Sequence, residues 1–177
     1  LIKRAGLMKK FKSIILFILS VTLLISTFSC KQSKDFNEFT ASKYFELPDK
    51  IIIFDEGNSR IIMKDVEEYN KILYLMDKRL KKVTDFEISS YLIMDEDINI
   101  KNNGTAVEFI YNSEKQTIYG KETKSYFRIL FPLTPLSNDA EDELIFFGDN
   151  KHYYSPAIKV PRPDKELINL IKEEVNN

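Results

Sequence analysis

A change of apolar period between residues 50 and 80 constrains this chain more than any other feature. Lys50-Ile51-Ile52-Ile53-Phe54 and Arg60-Ile61-Ile62-Met63 are short apolar runs, largely β-branched, separated by the turn composition Asp55-Glu56-Gly57-Asn58-Ser59. They predict two antiparallel strands. Directly afterwards Val66, Tyr69, Leu73, Met76 and Leu80 recur at alternating intervals of three and four, the period of a helix with one buried stripe. Asp65 with Glu68 three residues later is a capping-box-like start. Lys78, Arg79, Lys81 and Lys82 crowd the expected last turn, where cations complement the helix dipole.

The remainder reads mostly as antiparallel strands. Residues 88–94 form one, and residues 98–101 are expected to pair with residues 106–111 across Asn103-Gly104, a strong hairpin signal. Val107, Phe109 and Tyr111 then share a face and Glu108 points away from it. Residues 112–115 are expected to turn the chain into 116–119, strand 126–131 follows, and Pro132 and Pro135 open a polar loop through Asp142. Residues 144–147 and 152–154 predict a hairpin about Gly148-Asp149-Asn150, and Pro161 and Pro163 precede a closing helix with Leu167, Ile168 and Ile171 inward. The order β-β-α-β(n)-α predicts an α+β domain, a single mainly antiparallel sheet with two helices packed on one face. About 130 residues bury a core without disulfides.

Composition narrows the chemistry. At 44% apolar and 30% charged the chain is neither a disordered nor a polytopic membrane sequence. One cysteine, one histidine and five glycines leave no zinc framework, no disulfide within the chain and no glycine-rich phosphate cradle. Residues 1–29 hold Lys3, Arg4, Lys9, Lys10 and Lys12 and no acid; removing those five from 26 basic residues leaves 21 against 27 acids, a net charge of about −6. Such a balance argues against nucleic acid as a partner, because neutralising phosphates takes a clustered excess of Lys and Arg.

Residues 8–30 form a basic segment (Lys9, Lys10, Lys12), an apolar stretch over 14–28 interrupted by Ser20, Thr22, Ser26 and Thr27, and then Ser29-Cys30. That is the pattern of a secretory signal peptide, and the apolar stretch falls short of the roughly 20 residues that span a bilayer. Ile25-Ser26-Thr27-Phe28-Ser29-Cys30 resembles the lipobox of bacterial lipoproteins, with Thr27 where leucine is usual. The resemblance covers residues 8–30. It implies that the Cys30 thiol receives diacylglycerol, that a signal peptidase cuts before it, and that Cys30 becomes the first mature residue. Two acyl chains make such an anchor stable, since each buried CH₂ contributes about 0.8 kcal/mol and one chain holds only marginally. The expected organisation is a signal peptide over 1–29 starting at Met8, a lipidated cysteine and flexible tether over 30–46, and a single α+β domain over 47–177. Within the tether Phe36 and Phe39 are the residues able to dock on the domain. The expected location is the extracytoplasmic side of the cell membrane. The Ile-, Lys- and Asn-rich, Gly-poor remainder is similar in composition to small lipoproteins of low-GC or spirochaete-like bacteria.

Three constellations carry candidate chemistry. Taking Asp97 as position one of a calcium loop puts Asn99, Lys101 and Glu108 at positions three, five and twelve, but Lys101 replaces a ligand and Asn102 stands where glycine is needed. The acidic run 137–143, with Asp139, Glu141 and Asp142, offers a surface for a basic partner or a hard cation, against the plainer reading of a solvated loop. His152 is the only base available to a nucleophilic triad, yet neither G-x-S-x-G nor Ser-x-x-Lys occurs. Its neighbours Tyr153 and Tyr154 belong to an aromatic-rich sheet, one face of which packs on helices while the other is free for recognition.

The expected function is a non-catalytic, lipid-tethered binding module of the cell envelope, needing no cofactor and no metal. It would engage an envelope protein or ligand through the sheet face or the loop at 132–143. The alternatives are an envelope hydrolase using carboxylates or His152, and a small-ligand capture protein.

Overall fold

The β1–β2 hairpin turns in two residues. β1 (Lys50–Asp55) and β2 (Asn58–Met63) pair antiparallel from Lys50↔Met63 to Asp55↔Asn58, and Glu56 and Gly57 take positive φ values of 48° and 85°. Two successive positive φ angles define the turn whose twist matches a strand pair, and glycine at the second position adopts its angle without a Cβ penalty. This computed structural model describes residue 39 and residues 42–82, 96–119, 122–134, 142–154 and 157–177.

The other elements are α1 (Glu67–Leu80), α2 (Glu96–Asn103), β3 (Thr105–Tyr119), β4 (Glu122–Pro132), β5 (Asp142–Gly148), β6 (Ile158–Pro161) and α3 (Lys165–Asn176). The sheet order is β2-β1-β3-β4-β5-β6, and every neighbouring pair is antiparallel. Period-two alternation divides its side chains between two clusters. Ile51, Ile53, Val107, Phe109, Ile129 and Phe131 lie on the face covered by α1 and α3, which contribute Leu73, Met76, Leu167 and Ile171. Ala106, Leu130 and Phe146 lie on the opposite face, where Ile100 of α2 joins them. The α+β architecture, with an open antiparallel sheet and α1 and α3 on one face, is as the sequence predicts.

Several local expectations are corrected. Residues 98–101 are helical, within α2, and do not form a strand; Gly104 closes that helix by donating its N–H to the Ile100 carbonyl at 3.0 Å. Residues 112–115 do not turn the chain. β3 continues through them with a shift of register, four residues (111–114) opposing one residue of β4. Asp49 accepts the Asn112 N–H at 2.7 Å and Glu46 pairs with Lys115 at 2.7 Å, so the preceding segment satisfies the irregular stretch. α1 starts at Glu67 with Val66 as its N-cap and no capping side chain, so the Asp65 capping box does not form. The hairpin expected at 152–154 reduces to a single bridge, Gly148↔Tyr153, and β5 instead pairs with β6. The strand expected at 88–94 lies outside the described residues.

The packed domain also begins earlier than residue 47. Phe45 is buried, its ring edge-on to Phe109 at 5.0 Å, and Phe39 stacks on Phe45 at 6.3 Å. Ser42 donates its hydroxyl to Asp77 of α1 at 2.8 Å, and Tyr111 donates to the Glu46 carbonyl at 2.9 Å. The last residues of the expected tether are therefore part of the fold, on the α1/α3 face of the sheet. No helix among the described residues is long and apolar enough to cross a membrane.

Candidate functional site

Glu108 lies in the middle of β3 between Val107 and Phe109, both of which face α1 and α3. Alternation sends Glu108 to the opposite face, and there it is 2% exposed. A carboxylate without water needs donors and opposite charge. Lys101 of α2 places Nζ 3.0 Å from Glu108 Oε2 and 3.0 Å from the Tyr153 hydroxyl. Tyr153 donates its hydroxyl hydrogen to Glu108 Oε1. Arg128 of β4 brings Nη1 to 3.6 Å from Oε1, an ion pair rather than a hydrogen bond, while Nη2 donates to the Asn150 carbonyl at 2.6 Å.

Aromatic rings line the same cluster. The Lys101 ammonium is 5.0 Å from the Phe54 ring centre and 5.2 Å from that of Tyr153, and the Arg128 guanidinium is 5.7 Å from the latter. These are cation–π distances. Burial, and then the charge of Glu108, push the Tyr153 phenol far above its ordinary value, so it serves as a neutral donor. With Glu108 and both cations ionised the cluster carries one net positive charge. It joins α2, β3, β4 and the segment after β5. Chemically it holds a carboxylate already occupied by donors, a poor arrangement for a general base.

The sequence-derived candidates separate in space. Tyr153 enters the cluster just described, whereas Tyr154 packs against the α1/α3 core and donates its hydroxyl to the Ser125 carbonyl at 2.7 Å. His152 is exposed, its backbone N–H bonded to Asp149 Oδ1 at 2.7 Å. Cys30, Asp139 and Glu141 lie outside the described residues, and Asp142 opens β5 opposite Pro161. The calcium-loop spacing has a different explanation, since Lys101 neutralises Glu108 and the residues concerned run from helix α2 across Gly104 into strand β3. Among the described residues no group of three His, Cys, Asp or Glu side chains could hold a metal ion.

The basic run at the end of α1 is likewise divided. Lys78, Lys81 and Lys82 are exposed and pair with Asp164, Asp77 and Asp164. Arg79 is 1% exposed, with Nε donating to the Pro161 carbonyl at 2.6 Å and Nη1 and Nη2 without a hydrogen-bond partner among the described residues. Burial lowers its pKa to about 10, opposed by the charges of Glu143 and Asp164. Glu143, the end of the acidic run, is buried in β5 with Arg162 Nε 3.5 Å from its Oε1, so that end of the run is not a solvated loop.

Glu108, Lys101 and Arg128 escaped sequence reasoning as a group. The available signal was an acid flanked by Val107 and Phe109 inside an otherwise apolar run, which demands a compensating cation when the second sheet face is covered. No family model matches the chain, and neither curated proteins nor solved structures yield a match.

Proposed function

We propose that the chain is a lipid-anchored lipoprotein, held by Cys30 at the extracytoplasmic side of the cell membrane, whose α+β domain is a non-catalytic binding module. The observation that supports a binding role is where apolar surface is left uncovered. Among the described residues the exposed large apolar side chains are Ile61, Met63, Val66 and Tyr74; Ile61 and Met63 lie on β2, at the edge of the sheet, and Val66 follows three residues later at the start of α1. Scattered exposed apolar residues are ordinary, but Ile61 and Met63 lie on a strand whose outer side no other strand among the described residues pairs, an arrangement that suits a partner. The carboxylate best placed for chemistry, Glu108, is meanwhile occupied by Lys101 and Tyr153.

Two measurements test this reading. Metabolic labelling with palmitate should mark the wild type and not Cys30→Ala; equal labelling overturns the anchor. Crosslinking in intact cells followed by affinity capture should give one dominant protein partner that is lost with Ile61→Lys. Identical capture by wild type and Ile61→Lys overturns β2 as the binding element.

A further inference from the structure

Asn103 is the only asparagine of the chain that precedes a glycine. It is the last residue of α2 and is exposed, whereas Gly104 is buried. An asparagine in this position carries its own reactant. The next backbone nitrogen reaches the side-chain carbonyl carbon through a five-membered ring, and glycine has no side chain to obstruct the approach. In the folded chain two hydrogen bonds stand against it: the Gly104 N–H donates to the Ile100 carbonyl at 3.0 Å, and Asn103 Nδ2 donates to Asn99 Oδ1 at 2.6 Å. Both belong to the last turn of an eight-residue helix. Free helices need about 12–15 residues, and the ends of short ones open locally without global unfolding.

We propose that Asn103 is a site of spontaneous deamidation, and that the isoaspartate it yields releases α2 from the sheet face opposite α1 and α3. The Gly104 nitrogen bonds to Asn103 Cγ, the Cγ–Nδ2 bond breaks, and the amide leaves as ammonia with the Gly104 proton. Water then adds to the cyclic imide. Opening at Cγ leaves an ordinary aspartate; opening at the α-carbonyl leaves isoaspartate, in which the main chain runs through Cβ and Cγ and is longer by one methylene. Nothing is oxidised or reduced, and water is the only co-reactant.

The surroundings make that methylene consequential. Downstream, Thr105 is fixed: its N–H donates to Thr134 Oγ1 at 2.8 Å, its hydroxyl to Asp55 at 2.6 Å, and its carbonyl accepts the Leu133 N–H at 2.8 Å. Upstream, Ile100 is buried and Lys101 is held to Glu108 and Tyr153 at 3.0 Å each. Gly104 lies between these fixed points and its carbonyl accepts the Glu56 N–H at 3.0 Å. There is no slack, since a Cβ on Gly104 would stand 3.0 Å from the Ile100 carbonyl oxygen. A longer link cannot keep the Ile100 and Glu56 bonds together while Thr105 stays in place. The new carboxylate also sits at the negative end of the helix dipole. β3 is paired with β1 and β4, so α2 gives way, and Glu108 exchanges Lys101 for water. The change runs one way, because the lost ammonia does not return.

Peptide mapping by mass spectrometry, with fragmentation that distinguishes aspartate from isoaspartate, tests the site. The folded full chain incubated at mildly alkaline pH should gain an acid at Asn103 while Asn102, in the same helix but followed by asparagine, stays an amide. Hydrogen exchange tests the consequence. Protection over residues 100–104 and at the Glu56 N–H should fall roughly tenfold or more in the isoaspartate fraction. Asn103→Gln, whose longer side chain cannot close the five-membered ring, should keep its protection through the same incubation. Freshly prepared Asn103→Asp carries the charge without the extra backbone atom and should stay protected as well. An unmodified Asn103 after a free peptide of residues 99–107 has been converted completely overturns the site. Undiminished protection in the isoaspartate fraction, or an equal loss in fresh Asn103→Asp, overturns release by chain lengthening.

Discussion

The Tyr153 hydroxyl donates to the Glu108 carboxylate, a bond between residues 45 positions apart that fastens the segment after β5 onto the centre of the sheet. Lys101 touches both members at 3.0 Å, so α2 is held by the same atoms. Glu108→Ala leaves two cations partly buried without their counter-charge and should cost about 3–5 kcal/mol of stability. Tyr153→Phe removes one donor from a buried acceptor and should cost about 1–3 kcal/mol. Urea denaturation of both single variants and the double variant checks this, and the double should cost less than the sum because the residues share one network.

Arg79 and Glu143 form a second buried charged region, where α1 meets β5 and the end of β6. Arg79→Met alone should destabilise by about 3–5 kcal/mol, because Glu143 loses a compensating charge. Arg79→Met with Glu143→Met should recover much of that loss, as apolar replacement of buried charges that compensate each other is often neutral. A double variant no more stable than Arg79→Met would show that the charges themselves hold this corner.

Phe45 marks where the domain begins. Its ring is buried against Phe109, so Phe45→Ala should cost about 3–5 kcal/mol in a thermal or chemical melt. Lys43→Ala, exposed two residues earlier, should change stability by less than about 0.5 kcal/mol. Equal, small effects would place residue 45 in a freely solvated tether.

Alkaline pH should unfold the protein through its tyrosines. Burial pushes Tyr69 and Tyr126 up to about 12, and holds Tyr111 well above its ordinary value of 10.0. A folded-state pKa above the unfolded one means that the folded chain keeps its proton after the unfolded chain has lost it. The contribution is complete below pH 10 and is lost as pH rises from 10 through about 12. Denaturation midpoints should fall over that window, and Tyr69→Phe, which cannot ionise, should shallow the fall.

The acid limb should report Asp49. The Asn112 backbone N–H and Lys64 hold its carboxyl below 3.8, so its contribution is present above that value and lost as pH falls through the lowered one. Asp49→Asn should flatten the acid limb of the stability profile and leave the alkaline limb unchanged.

Local pattern carried β1, β2, α1 and α3, because each buries one face against the rest of the domain and that requirement writes its period into the chain. Residues 96–103 show the limit. Ile98 and Ile100 alternate as in a strand, and Asn103-Gly104 imitates a hairpin turn. The helix forms there because Ile100 enters the second cluster and Lys101 reaches Glu108, contacts no local pattern records. The same holds for residues 111–115, where Tyr111, Asn112 and Lys115 meet the 46–49 segment instead of turning the chain.

The sequence by itself determined the α+β class and the placement of α1 and α3 on one sheet face, because periodicity and turn composition act over a few residues. The tertiary structure alone decided that Lys101, Glu108, Arg128 and Tyr153 meet, that Arg79 and Glu143 are buried, and that β2 and β6 end the sheet. Those outcomes depend on which strands become neighbours, and a buried charge is placed by whichever distant partner can compensate it.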